Sequence, residues 1–352
     1  MSLHVAVSGW LLGAHSGANR RLLSLLAHVA PLLARDERIT VLHRADLELP
    51  PISSRIAFAP VAIASGPTWR RTFDEHRRLD AALSRLGATV CDHGFLPAPR
   101  VSCKLAVTIH DVRDLDGHGR RARWLARSAL QHASRRAQCI VVPSEFTAAR
   151  VLQTVPSARV EVVENGVELA GRGVAADAAN GPLLHVGHLE GRKNLDLLLR
   201  ALVAIPEARR PELWLAGADA GCGTALRSLA AKLGIEGRVR FLGIVDERSL
   251  TQLYSRARAV VVPSRHEGFG LCALEGLAHG RPVLVAAAGA LPEVTGEVGI
   301  ALPPDDPQAW AAALQQLDDS DEARAARRRR AEHYSWSRAA VRMLAVWRSL
   351  PG

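Results

Sequence analysis

Short apolar runs alternate with helix-length stretches along the whole chain. In the first half the strand-like runs are His4–Ser8, Ile39–His43, Ile56–Ala59, Thr89–Asp92, Leu105–Ile109, Ile140–Val142 and Val160–Val163. Helical stretches lie between several of them, at Gly17–Ala34, Trp69–Leu86, Ala122–Arg136 and Glu145–Gln153. Cys139-Ile140-Val141-Val142 does not alternate apolar with polar, which suits a strand buried on both faces of a parallel sheet covered by helices. Residues Gly166–Pro182 break the rhythm; 171–182 are small and Gly-rich, without large apolar side chains, and predict a linker. A second series follows, with strands Leu183–Val186, Glu212–Ala216, Val239–Leu242, Ala259–Val262, Val283–Ala286 and Ile300–Leu302. Its helices include Asn194–Ala204, Thr224–Leu233, Glu247–Ala257 and Leu271–His279. The fold class expected is therefore α/β, with two doubly wound, Rossmann-like domains facing a central cleft. Their expected bounds are 1–166 and 183–335, with 167–182 as linker, and a last helix over about 336–350 fits either domain.

Composition agrees with that picture and narrows the partners. A length of 352 residues suits two domains, and 48% hydrophobic with 23% charged residues excludes a disordered or fibrous chain. No run approaches the roughly 18–20 uncharged apolar residues of a membrane span, and the N-terminus lacks a signal-peptide pattern. The five cysteines form no Cys-x-x-Cys pair, so reduced thiols in the cytoplasm are expected. The net charge is +10, of which +8 falls within residues 1–165. Such a chain looks for nucleic acid, phosphorylated small molecules or an acidic membrane. No nucleic-acid-binding motif is present, and 4% aromatic residues argue against base-stacking platforms. A dinucleotide oxidoreductase is disfavoured because no tight Gly-x-Gly-x-x-Gly follows the first strand.

The chemistry concentrates in Val262–Pro282. A strand ends near Pro263, a turn carries Gly268, Phe269 and Gly270, and a helix starting at Leu271 runs to Gly280. Backbone N–H groups at a helix start favour an anion such as a pyrophosphate. Glu267 precedes the turn, and Glu275 shares a helix face with Leu271. Two carboxylates beside an anion site repel phosphate and suit sugar hydroxyls on either side of a diphosphate. A second patch, Val186-Gly187-His188-Leu189-Glu190-Gly191-Arg192-Lys193-Asn194, follows the first strand of the second series. Arg192 and Lys193 there are fit for phosphate oxygens.

These residues, with Gly289–Val294, Val142–Thr147, Val163–Val167 and Ser335-Trp336-Ser337, resemble glycosyltransferase family 4, a retaining family of GT-B fold. Glu267 and Glu275 fit its Glu-x7-Glu signature, and the chain resembles bacterial mannosyltransferase-like group 1 glycosyltransferases. The resemblance runs essentially end to end. It implies a nucleotide-sugar donor held mainly by the second domain, and a last helix that returns to the first domain. Glu275 would hold the ribose hydroxyls and Glu267 would orient the donor sugar. Phe269, Gly270 and Leu271 would meet sugar or phosphate at the helix start, and Arg192 and Lys193, beside Gly187, would hold the pyrophosphate. No metal or other cofactor is implied, because these cations and helix ends take its place. Many relatives carry Arg where this chain has His188. The base is expected near Ile244 and Asp246; Asp246 could accept from guanine, favouring GDP-mannose, or simply N-cap Glu247–Ala257.

In the first domain, Gly13-Ala14-His15-Ser16-Gly17-Ala18-Asn19-Arg20 resembles the family's Gly-rich loop. Ser16 replaces a usual glycine, Gly17 keeps the second, and Arg20 matches the family's arginine. His110 and Asp111 resemble a His-Asp pair, with His110 on the donor sugar or acceptor and Asp111 orienting loop or ring. Asp114-Leu115-Asp116, Asp305-Asp306 and Asp318-Asp319 read as loop, turn or helix-end acids, and Arg327–Arg330 as a helix surface. Trp69–Arg78 and Arg120–Arg127 mix Arg with aromatics, which suits either an anionic inner-membrane surface or a solvated helix face. The expected function is transfer of a hexose to a sugar or lipid-linked acceptor in surface polysaccharide or glycoconjugate synthesis. A related sugar phosphorylase or synthase is the alternative.

Overall fold

A computed structural model describes residues 2–10, 12, 17–47, 52–63, 67–115, 119–169 and 180–350. The chain divides into two compact units, Met1–Gly166 with Trp336–Gly352, and Val167–Ser335. Of the expected linker, 170–179 lie outside the described residues.

The first unit contains β1 (His4–Ser8), α1 (Gly17–Val29), β2 (Arg38–Arg44), β3 (Ile56–Val61), α2 (Thr68–Leu86) and β4 (Val90–His93). It continues through β5 (Lys104–Thr108), α3 (Arg120–Arg136), β6 (Cys139–Val142), α4 (Glu145–Thr154) and β7 (Val160–Val162). Among the described residues these strands form one parallel sheet in the order β3-β2-β1-β4-β5-β6-β7. The chain leaves β1 toward one edge and returns to β4 on the other side, so β1 and β4 flank the switch point. In open α/β sheets the crevice at the strands' carboxyl ends at such a point receives ligands. Helix α1 ends earlier than the pattern predicts, because Pro31 tightens Ala30–Leu32 into a 3-10 turn. Ser144 opens α4 by accepting the Thr147 N–H at 3.1 Å.

The second unit contains β8 (Leu183–Val186), α5 (Leu195–Ala204), β9 (Leu213–Ala216), α6 (Gly223–Lys232), β10 (Val239–Gly243) and α7 (Glu247–Arg256). Then come β11 (Ala259–Val262), α8 (Leu271–Ala278), β12 (Val283–Ala286), α9 (Leu291–Thr295), β13 (Ile300–Leu302), α10 (Pro307–Gln315) and α11 (Asp321–Glu332). The sheet order is β10-β9-β8-β11-β12-β13, which puts its switch point between β8 and β11.

The final helix, α12 (Trp336–Ser349), belongs to the first unit. Its buried Trp347 donates from Nε1 to Asp92 Oδ2 at 3.0 Å. One surface expectation fails. In α11 only Arg329 of Arg327–Arg330 is exposed. Arg327 is buried and donates to the carbonyls of Gly280 and Asp318, while Arg330 donates to those of Glu293 and Val294. Guanidinium groups here satisfy carbonyls at helix ends and in the adjoining loop.

Candidate active site

At the carboxyl edge of the second sheet, two loops are tied together. The Arg265 N–H donates to Arg192 O at 2.9 Å, and Arg192 Nη1 donates to His266 O at 3.2 Å. Asn194, held at a φ of 55°, donates from Nδ2 to Pro263 O at 3.2 Å and Pro304 O at 2.8 Å. These bonds bring side chains 74 positions apart into contact: Lys193 Nζ lies 2.6 Å from Glu267 Oε1. Arg192 Nη1 lies 3.3 Å from Glu267 Oε2, and Arg192 Nη2 lies 2.7 Å from Glu190 Oε1. Burial would push the Glu267 carboxyl up, but Lys193 and Arg192 outweigh it and hold it down at about 2. Glycine is required at 289, because a Cβ there would sit 2.6 Å from Glu267 O. The adjacent Ala290 N–H donates to that same oxygen at 3.0 Å.

Helix α8 starts behind this cluster. Gly270 precedes it, Leu271 is its first residue, and the Phe269 ring is buried edge-on against Tyr334 at 5.6 Å. Phe269 thus has its side chain in the core, and only its backbone faces the edge. Glu275 is half-buried, and its Oε2 accepts from the Tyr254 hydroxyl at 2.6 Å. His188 sits half-buried in the loop after β8, next to Gly187. Ile244 is exposed after β10. Asp246 Oδ1 accepts the Ser249 N–H at 2.7 Å, so this carboxylate caps α7.

At the carboxyl edge of the first sheet, Ser8, Asn19, Arg21, Asp92, Thr108 and His110 line a cavity at the switch between β1 and β4. Buried Arg21 donates to Val163 O at 2.9 Å and to Asn165 Oδ1. Thr108 Oγ1 donates to Asp92 Oδ1 at 3.0 Å. Burial lowers His110 to about 3, with Arg21 acting in the same sense, so its ring is neutral near neutral pH. Asp111 Oδ1 accepts the Arg113 N–H at 2.8 Å and holds the loop after β5. Gly17 is the first residue of α1 and Arg20 lies in its first turn. Ser16 lies outside the described residues, as do Gly13, Ala14 and His15. Among the described residues, no group of three or more His, Cys, Asp or Glu side chains is placed to hold a metal.

Residues 15–170 match the model of Glycosyltransferase Family 4, and residues 181–319 match that of Glycosyl transferases group 1. The chain belongs to glycosyltransferase family 4. A D-inositol 3-phosphate glycosyltransferase of Corynebacterium urealyticum is 34% identical over 221 residues, 58% of this chain and 52% of the relative. The chain spans about half the length of the curated relatives it matches. Sucrose-phosphate synthase from Thermosynechococcus elongatus shares the fold, with a TM-score of 0.84 over 99% of both chains at 20% identity. Anabaena HepE in complex with UDP-glucose gives 0.76, over 99% of this chain and 100% of that one, at 18% identity. The two parallel-sheet, Rossmann-like units are those of the GT-B glycosyltransferases.

Within this family-4 chain the structure gathers Gly187, His188, Arg192, Lys193, Glu267, Gly270 and Leu271 at one sheet edge. It places Gly17, Arg20, His110 and Asp111 at the corresponding edge of the other unit. Sequence reasoning missed three neighbours. Tyr254 shares an apolar helix face with Leu250 and reads as core. His185 sits inside an apolar strand. Arg21 is 144 residues from its partner Asn165. Only the paired Arg20-Arg21 at a helix start offered any signal, and it did not say which of the two turns inward.

Proposed function

We propose that this chain is a retaining glycosyltransferase that moves a hexose from a nucleoside-diphosphate sugar to a sugar or lipid-linked acceptor. The observation that carries this is the Glu267 carboxylate clamped by Lys193 and Arg192 at the switch point of the second sheet. A carboxyl held at about 2 stays ionised, so Glu267 accepts from sugar hydroxyls rather than supplying a proton. The C1–O bond to the diphosphate breaks while the acceptor oxygen bonds C1 on the same face. The acceptor's proton passes to the departing phosphate oxygen, and Lys193 and Arg192 offset the charge that develops there. Glu275, braced by Tyr254, is set for the ribose hydroxyls.

The donor reading that starts from Asp246 is GDP-mannose, although one oxygen of that carboxylate is committed to the cap of α7. A UDP-sugar is the second reading, supported by the UDP-glucose complex of HepE. The curated relatives' D-inositol 3-phosphate and the +8 charge of residues 1–165 both support an acceptor that bears phosphate. Surface polysaccharide or glycoconjugate synthesis in the cytoplasm is the setting that fits a lipid-linked acceptor. Peripheral contact with an anionic membrane is supported by exposed Trp69 and Phe73 on α2, each within 5.4 Å of an arginine guanidinium. Exposed Trp124 and Leu125 on α3, among Arg120, Arg121 and Arg123, support it too.

A thermal-shift panel of GDP, UDP, ADP and dTDP tests the donor site. A ligand at 100-fold its dissociation constant adds about 2.7 kcal/mol. One diphosphate should stabilise the protein, and Glu275→Ala should abolish the effect; indifference to all four overturns the reading. A sugar–enzyme adduct in Glu267→Gln would replace the same-face displacement with a double one. Binding to anionic vesicles should weaken with salt, and absence of binding at low salt overturns the membrane contact.

A further inference from the structure

The loop after β8 carries Arg192 and Lys193, and the loop after β9 holds it from one side. The Gly187 N–H donates to Ala216 O at 2.8 Å, and the Leu189 N–H to Ala218 O at 2.9 Å. Leu189 O in turn accepts from the N–H groups of Ala220 at 3.1 Å and Cys222 at 3.3 Å. The Leu189 side chain is buried in the core of the second unit, so this residue is fixed through both backbone and side chain. The turn that presents the two cations starts beside it. There the Lys193 N–H donates to Glu190 O at 2.9 Å and the Asn194 N–H to Gly191 O at 3.2 Å. The two loops approach closely enough to require glycine at 217, where φ is 153° and a Cβ would collide with Gly187 O.

The holding loop, Gly217-Ala218-Asp219-Ala220-Gly221-Cys222-Gly223, carries no large apolar side chain, and three glycines leave its backbone permissive. One carboxylate gives it a shape. Asp219 Oδ1 accepts the N–H groups of Gly221 at 2.9 Å, Cys222 at 3.0 Å and Gly223 at 2.9 Å. These bonds hold the carboxyl below its ordinary range, with the Arg227 charge acting in the same sense. Gly223 lets the carboxylate come this close, since a Cβ there would collide with it.

We propose that Asp219 is a positioning residue for Arg192 and Lys193, acting through the loop after β9. It folds that loop so that the Ala220 and Cys222 N–H groups converge on Leu189 O, and Leu189 sets where the cation turn begins. From there the hold passes to the site itself: the Arg265 N–H donates to Arg192 O, and Lys193 Nζ meets Glu267 Oε1 at 2.6 Å. Cations that offset a developing charge act only when they are held in place before the reaction. The effect on a diphosphate rests on the nucleotide-sugar reading above; the hold on the loop does not.

The test uses the full chain with UDP and GDP as probes. Asp219→Ala should weaken binding of the recognised diphosphate about tenfold. Asp219→Asn, which keeps an oxygen for the three N–H groups, should recover most of it. Gly223→Ala, which pushes the carboxylate aside, should weaken binding in the same way and serves if Asp219→Ala fails to fold. Wild-type binding by the folded variants overturns the proposal. A second readout needs no nucleotide. Amide hydrogen exchange in Asp219→Ala or Gly223→Ala should quicken at 221–223 and also at Leu189, Lys193, Asn194 and Arg265. Quickening confined to 221–223 shows a local turn and nothing more, and the proposal fails. If neither diphosphate binds the wild type while exchange quickens across 189–194, the donor reading falls and the role of Asp219 stands.

Discussion

Two buried carboxylates in this chain titrate in opposite directions. Glu267 is held at about 2 by Lys193 and Arg192, which outweigh its burial. Glu75 on α2 is raised from its ordinary 4.5 to about 7, because burial outweighs the attraction of Arg71, 3.4 Å away. His93, 3.7 Å from the same oxygen, is lowered to about 3 by burial and the Arg71 charge, so it supplies no compensating charge. A folded-state pKa above the unfolded one adds stability below the unfolded value, and that stability is lost as pH rises through the folded value. Glu75 therefore lowers stability as pH climbs from about 4.5 to 7. Glu267 contributes stability above about 4.5 and loses it as pH falls toward 2. We expect Glu75→Gln to be more stable than the wild type at pH 8, with the difference vanishing near pH 4. Urea unfolding at the two pH values measures this, and a less stable Glu75→Gln at pH 8 would show that the charged pair with Arg71 outweighs burial. The sequence showed neither behaviour: Glu75 reads as one acid on an Arg-rich helix, and its burial follows from the strands beneath it.

At the scale of elements, the strands were legible to within one or two residues. A run such as Ala259-Val260-Val261-Val262 has no polar face to turn to water, so it is buried wherever it lies. Helix ends were less so, as Pro31 shows in α1. Helix α10 escaped the sequence reading, and α11 was read only as a helix surface at Arg327–Arg330; α11 is so rich in Arg that it carries little apolar signal, and its burial rests on guanidinium-to-carbonyl bonds made across the unit. Helix α7 illustrates what an element adds to a site. It contributes Asp246 as its cap and, two turns on, Tyr254 as the brace of Glu275. A hydrogen bond to an ionised group is worth about 1.5–3 kcal/mol. Tyr254→Phe should then weaken diphosphate binding about tenfold with kcat at saturating donor little changed; a fall in kcat with unaltered affinity would contradict that role.

For the whole molecule, each unit carries its own switch point, one lined by Glu267, Lys193 and Arg192 and the other by His110, Arg21 and Asp92. Hydrogen exchange with the recognised diphosphate should protect residues 186–194 and 263–275 and leave 69–78 and 120–127 unchanged. Anionic vesicles should do the reverse. Vesicle protection of the second unit's loops instead would move the membrane contact off α2 and α3. The βα order, the Glu-x7-Glu spacing and the family were determined by the sequence itself, because periodicity reports which faces are buried and short spacings report local turns. Which groups meet was decided only by the tertiary structure. Lys193 finds Glu267, Arg21 finds Asn165 and Trp347 finds Asp92 across 74, 144 and 255 positions. Such pairs form because a doubly wound sheet sets distant strands side by side, and nothing in local spacing encodes that order.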